Sequence, residues 1–217
     1  MLNMRNAMWL RVSGVCGVLT PIVAFTCIFL SVASVAKFSW VDNALSDLGV
    51  MTGVAASVFN YGLITSGISG FIFATSLFRV MHFFEIFSAN GKPRFLGNRG
   101  WVGALLFSLA CLALVAIGVF PENVQYLHFI ASVAFFLLLS SALLRMGISF
   151  WQVRQKPLAW FTLLLGIVAA VPWLLLFSVR YVSGVAIPEL IAAIAGGLWA
   201  GIFGFKMLKM ASQTKVS

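Results

Sequence analysis

The sequence predicts an all-α integral membrane protein, a bundle of six transmembrane helices with both termini in the cytoplasm. Three observations predict it. Of the 217 residues, 62% are hydrophobic and only 9% are charged, whereas a soluble domain carries about a quarter charged residues. The apolar residues gather into six continuous stretches, each close to the ~20 residues a helix needs to cross the hydrocarbon core. Lys and Arg are distributed asymmetrically about these stretches. One bundle uses the whole length, so a single domain over residues 1–217 is expected.

The six stretches run at roughly 9–36, 54–78, 100–120, 124–149, 158–179 and 185–208. Backbone groups in lipid have no water to pair with, so spans of this kind are helices. A barrel would show short segments of alternating polarity instead, and these runs are continuous.

The first span follows Arg5 and Arg11 and ends at Ser34-Val35-Ala36, which resembles a cleavage site. Its apolar stretch is far longer than a signal-peptide core of about 7–15 residues, so a retained span is expected. In the second span Gly62, Ser66 and Gly70 recur every fourth residue, as Gly197 and Gly201 do in the sixth. Small residues at that spacing let helix backbones approach closely. Pro21 and Pro172 are expected to kink spans one and five. The loop between spans two and three carries Arg79, His82, Glu85, Lys92 and Arg94. Its start is expected to continue the second helix, with His82 pairing Glu85. Its basic part has the composition of a surface for anionic headgroups.

The orientation comes from the cations. Arg5, Arg11, Arg79, Lys92, Arg94, Arg99, Arg145, Arg154, Lys156, Lys206, Lys209 and Lys215 all fall on one side of a six-span arrangement; Lys37 and Arg180 fall on the other. An excess of Lys and Arg marks the cytoplasmic side. The same distribution explains the net charge of +9 without nucleic acid, since the basic residues flank apolar runs and form no long run of their own. Cys16, Cys27 and Cys111 lie inside apolar stretches without metal-ligand spacing and imply neither a disulfide framework nor a metal site.

The acids divide the other way. Asp42, Asp47, Glu122 and Glu189 fall on the outer side. In the first outer loop, Ser39 and Asp42 have capping-box spacing and Gly49 is a natural stop, which predicts a short interfacial helix anchored by Trp40. Within it Asn43 and Asp47 share a face, as do Asp42 and Ser46. Glu122, Gln125, His128 and Ser132 follow Pro121 at steps of three, three and four, which makes one helical stripe. His128 falls ~9 Å below the helix start, where an ionisable group must face protein, water or a ligand. Asn60 stands at similar depth in span two. Arg180 and Glu189 flank the last outer loop and are expected to pair.

These residues outline an outward-facing polar pocket. Ser46, Asp47 and His128 are the residue types of an acyl-transfer centre, a hydroxyl, an orienting acid and a base. Asn43, Asn60, Glu122, Gln125, Arg180 and Glu189 are candidate binding groups. No cofactor motif is present.

Ser39-Trp40, Asn43-Ala44-Leu45-Ser46-Asp47-Leu48-Gly49, Phe59-Asn60, Gly118-Val119-Phe120-Pro121 and His128 together resemble the prokaryotic membrane family known as domain of unknown function 998. The resemblance implies a six-helix membrane protein without an established activity. Ser46, Asp47, Gly49 and His128 are also distantly similar to the damage-regulated autophagy modulators and the membrane proteins that remodel GPI-anchor lipids. That likeness implies lipid-related work at the outer leaflet. The expected function is therefore recognition or remodelling of a membrane lipid in the cell membrane. The alternatives are a non-catalytic subunit or assembly factor with a membrane-protein partner, and a small transporter.

Overall fold

A computed structural model describes the backbone of residues 4–86 and 100–213 and the side chains of residues 7–78 and 100–212. The side chains of Arg79, His82 and Glu85, and all of Lys92, Arg94 and Arg99, lie outside the described residues.

Six long helices are present: α1 (Met4–Ala33), α2 (Val54–Ile86), α3 (Gly100–Val119), α4 (Gln125–Gln152), α5 (Lys156–Val179) and α6 (Ala186–Gln213). Each contains a stretch long and apolar enough to cross a membrane. Their ends follow from local chemistry. α3 stops just before Pro121, which cannot continue a helix. α5 opens on Lys156-Pro157, with proline in the first turn, where its missing N–H costs nothing. It ends at Arg180, whose left-handed backbone (φ 45°) lets its N–H bond the Leu176 carbonyl. Gly53 supplies the positive φ of 80° that turns the chain into α2.

Each helix packs on its sequence neighbours and α6 closes back onto α1, so the six form a ring. Lipid tails are as apolar as leucine, so such helices associate by close packing rather than by escape from water. The seams show it. A Cβ added to Gly204 of α6 would sit 2.7 Å from the Gly14 carbonyl oxygen of α1. At the α1–α2 seam Gly62 faces Cys27 and the Ser66 hydroxyl donates to the Thr20 carbonyl at 2.8 Å. The fourth-residue spacing in span two therefore does serve helix contact.

Inside the ring, Phe73, Phe107, Trp199 and Phe203 form a buried aromatic layer. Trp199 and Phe203 stack with centroids 4.3 Å apart, and Phe107 approaches Trp199 at 5.3 Å. The Trp199 indole N–H donates to the Thr162 hydroxyl at 3.1 Å, which satisfies both groups in the core.

The first interhelical loop corrects one expectation. Residues 39–44 form a turn, not a helix, and only Leu45–Val50 is helical, as a single 3-10 stretch, the roof helix. Side chains compete here for the local backbone donors. Asn43 Oδ1 accepts the Ser39 N–H at 2.9 Å, and Asp47 Oδ2 accepts the Ala44 N–H at 3.0 Å. Ser39 and Asp42 do bond each other, Oγ to Oδ2 at 2.6 Å, but inside that turn.

Candidate functional site

The acids collect at the end of the ring that carries the roof helix. Asp47 is held on two sides: the Asn43 amide donates to its Oδ2 at 2.7 Å, in addition to the Ala44 N–H. The Asn43–Asp47 pair foreseen from spacing thus forms. Asp42 and Ser46 do not share a face. Asp42 is exposed and tied to Ser39 and, through Oδ1 at 2.7 Å, to the hydroxyl of Ser183. Those two hydroxyls hold its carboxyl below the usual carboxylate range, Ser183 having the larger effect. Ser46 is buried, 8% exposed, and points inward.

Glu189 lies in the first turn of α6 and is 7% exposed. It does not pair with Arg180, which is exposed; no ion pair joins the two among the described residues. The α6 turn instead aims the carboxylate under the roof helix, where Oε2 accepts the Leu45 N–H at 2.6 Å. The short loop before α6 is itself clamped to the first loop: the N–H groups of Gly184, Val185 and Ala186 bond the carbonyls of Val41 and Asn43. That clamp sets Glu189 beneath Leu45, while the Arg180 side chain stays exposed.

Glu122 sits in a 3-10 segment, Glu122–Val124, that precedes α4. It interacts with Asp47 and with the Ser46 hydroxyl. Its Oε2 is buried without a hydrogen-bond partner among the described residues. Glu189 also feels the charges of Glu122 and Asp47. Three carboxyl groups therefore lie close enough to act on one another at this end of the ring. Among the described residues, no three His, Cys, Asp or Glu side chains are arranged to hold a metal ion.

His128 follows a different course. It is 7% exposed, with Nδ1 2.8 Å from the Phe120 carbonyl oxygen and Nε2 3.2 Å from the Ser132 hydroxyl. A carbonyl only accepts, so Nδ1 carries the proton, and with the ring neutral Nε2 is left to accept from Ser132. Phe120 follows the last turn of α3, where carbonyls lack helical partners, so His128 caps α3 from α4. Both ring nitrogens are engaged away from Ser46 and Asp47, and the three do not form a hydrogen-bonded relay. The Glu122–Gln125–His128–Ser132 stripe holds only in its second half. α4 begins at Gln125, which is exposed, and Glu122 lies outside the helix. Asn60 is a roof fastener: its amide donates to the Gly49 carbonyl at 2.9 Å, and its Oδ1 is buried without a partner among the described residues.

Beneath Ser46 and Glu189 lies a cavity of about 100 Å³ inside the ring, walled by α1, α2, α3, α4 and α6. Its lining is overwhelmingly apolar, including Phe25, Phe59, Leu63, Leu114 and Phe135; Phe107 lines its deep end and belongs to the aromatic layer. On α6 the wall is Ala193, Gly196, Gly197 and Ala200, and their small side chains are what leave the space open. The residue pattern pointed to a polar pocket at this end of the bundle, and the apolar cavity stands in its place. Its signal was the stripe of small residues that begins four positions after Glu189, of which only Gly197 was noticed, as a packing residue. Ser132, hydrogen-bonded to His128, also reaches the cavity.

Six membrane-length helices closed around an apolar cavity define a polytopic helical membrane protein. The chain belongs to the family described as protein of unknown function (DUF998), whose model matches residues 18–206, a range that takes in every candidate residue above. No match was found among the curated proteins or among the solved structures.

Proposed function

We propose that the protein recognises a lipid of the outer leaflet of the cell membrane, with its termini in the cytoplasm and the roof helix facing outward. The carrying observation is the apolar cavity whose one lining carboxyl, Glu189, lies with Ser46 at one end, while the hydroxyls of Thr20, Ser66 and Ser132 along its wall are already hydrogen-bonded within the protein. A lipid is polar at one end and apolar along the rest, and binding sites are mostly apolar with a few placed polar groups. The orientation rests on the placement of Lys and Arg. The distant likeness of Ser46, Asp47, Gly49 and His128 to lipid-remodelling membrane proteins favours the same reading.

The arrangement favours recognition over acyl transfer, because His128 spends both nitrogens on Phe120 and Ser132. It also disfavours a transporter, since the aromatic layer of Phe107 and Trp199 closes the inward path. A non-catalytic subunit or assembly factor is the second reading, supported by the mutual satisfaction of Asn43, Asp47 and Ala44. Native mass spectrometry of the protein released from polymer nanodiscs separates the two. Lipid recognition requires a stoichiometric lipid that survives delipidation and is lost in Ser46→Leu. A lipid-free wild-type protein that co-purifies with a partner chain would replace it with the second reading.

A further inference from the structure

We propose that the cavity takes one alkyl chain of an amphiphile whose head is a hydrogen-bond donor without negative charge, a long-chain amine or alcohol. The chain end would sit at Phe107 and the head at Ser46 and Glu189. This inference rests on the lipid reading and narrows it to a ligand class.

The length comes from two helices independently. On α6 the lining runs from Glu189 to Ala200, and on α3 from Ile117 to Phe107. At 1.5 Å per residue these are ~16 Å and ~15 Å. The site is therefore long, and blind at the aromatic end. Its volume of about 100 Å³, spread over that length, is a narrow bore that even one chain must widen and that two chains or a sterol ring system would have to widen far more. One slender chain remains, seated by rotation of the lining phenylalanines such as Phe25, Phe59 and Phe135. The packed layer under Phe107, in which Trp199 is fully buried, stops it.

The head class follows from charge. Glu189 is at the roofed end, and its electrostatic neighbours are Glu122 and Asp47. Arg180, the cation expected there, is exposed and unpaired with Glu189. A phosphate or carboxylate head would find no Lys or Arg among the lining residues and would add a further acid to this cluster. An amine or hydroxyl would find acceptors. One bond from Leu45 leaves the Glu189 carboxylate further acceptor capacity, and the Ser46 hydroxyl can accept as well.

The test is photolabelling of the full-length protein in phosphatidylcholine nanodiscs, with dodecylamine carrying a diazirine at the chain end as probe. The expected label falls on Phe107, Cys111 or Ala200. Unlabelled dodecylamine and dodecanol should displace it, and dodecyl phosphate should do so about tenfold less well. Hexadecylamine should compete no better than dodecylamine, because the floor stops the chain. Ala193→Phe, which fills the bore next to Glu189, should abolish floor labelling. The wild-type arms decide the matter even if that variant fails to fold. Label confined to outward-facing side chains such as Leu174 and Phe177, or equal displacement by dodecyl phosphate, overturns the inference. If a diazirine-bearing two-chain phospholipid labels the floor and the amine does not, this ligand class fails while the lipid reading stands. If neither labels it, both fail.

Discussion

Replacing His128 by alanine separates a structural histidine from a catalytic one. The ring makes two hydrogen bonds, to the Phe120 carbonyl at 2.8 Å and the Ser132 hydroxyl at 3.2 Å. Each is worth about 1 kcal/mol net, and a partner left unpaired and buried raises the loss. Removing a side chain that is only 7% exposed also leaves a void, since cavities in packed interiors are themselves destabilising. The total is about 3 kcal/mol, or roughly 6–12 °C in melting temperature for a chain of this size. His128→Asn can place its amide where Nδ1 now donates and so should recover about half the loss. The assay is thermal unfolding of wild type, H128A and H128N in one detergent, scored alongside retention of the co-purified lipid. The order should be wild type, H128N, H128A, with lipid retention falling in step. Unchanged melting in H128A with complete loss of activity on a lipid substrate would refute the capping role and restore His128 as a reacting group.

Gly204→Val should force α1 and α6 apart, because its first added carbon would meet the Gly14 carbonyl at 2.7 Å; a steep drop in folded yield by size-exclusion chromatography checks it, and a fully folded variant would contradict the seam. Thr162→Val should cost about 1 kcal/mol and Trp199→Phe more, since it also leaves a void in the aromatic layer, and the double variant hardly more than Trp199→Phe alone, because both break one buried hydrogen bond at 3.1 Å; additive losses in a double-mutant cycle would deny that bond. Asp42 has a folded-state pKa below its unfolded value, so its clasp to Ser183 stabilises the loop above the usual carboxylate range and is lost as pH falls below about 3.9. The protection factor of the Gly184 amide, its exchange rate divided into the intrinsic rate at each pH, should therefore fall on acidification in the wild type, and Asp42→Asn should abolish that pH step.

Some of the site was legible as local chemistry. The Asn43–Asp47 contact and the Ser39–Asp42 contact span four and three residues, and both appear as bonds. Spacing was misleading about the backbone that hosts them. Asn43 and Asp47 bond across a turn, because side-chain oxygens there capture backbone N–H groups that a helix would need. The Glu122-to-Ser132 stripe assumed one helix where a 3-10 segment and α4 meet, so Gln125 left the face that His128 and Ser132 share.

The six spans were determined by the sequence alone, because lipid offers no partner for an unpaired peptide group and so admits only long apolar helices there. The predicted stretches and the observed helices agree to within a few residues at most ends, the extensions of α1, α2 and α6 apart. Tertiary structure decided the partners. Glu189 binds the Leu45 N–H, 144 residues away, in place of nearby Arg180; Asp42 reaches Ser183; Trp199 finds Thr162. No periodicity in a sequence encodes such pairs, since they depend on which helices become neighbours when the ring closes. The cavity belongs to the same category: Gly197 reads as a packing residue until α1 and α4 are in place and leave the space beside it, Ala193 and Gly196 unfilled.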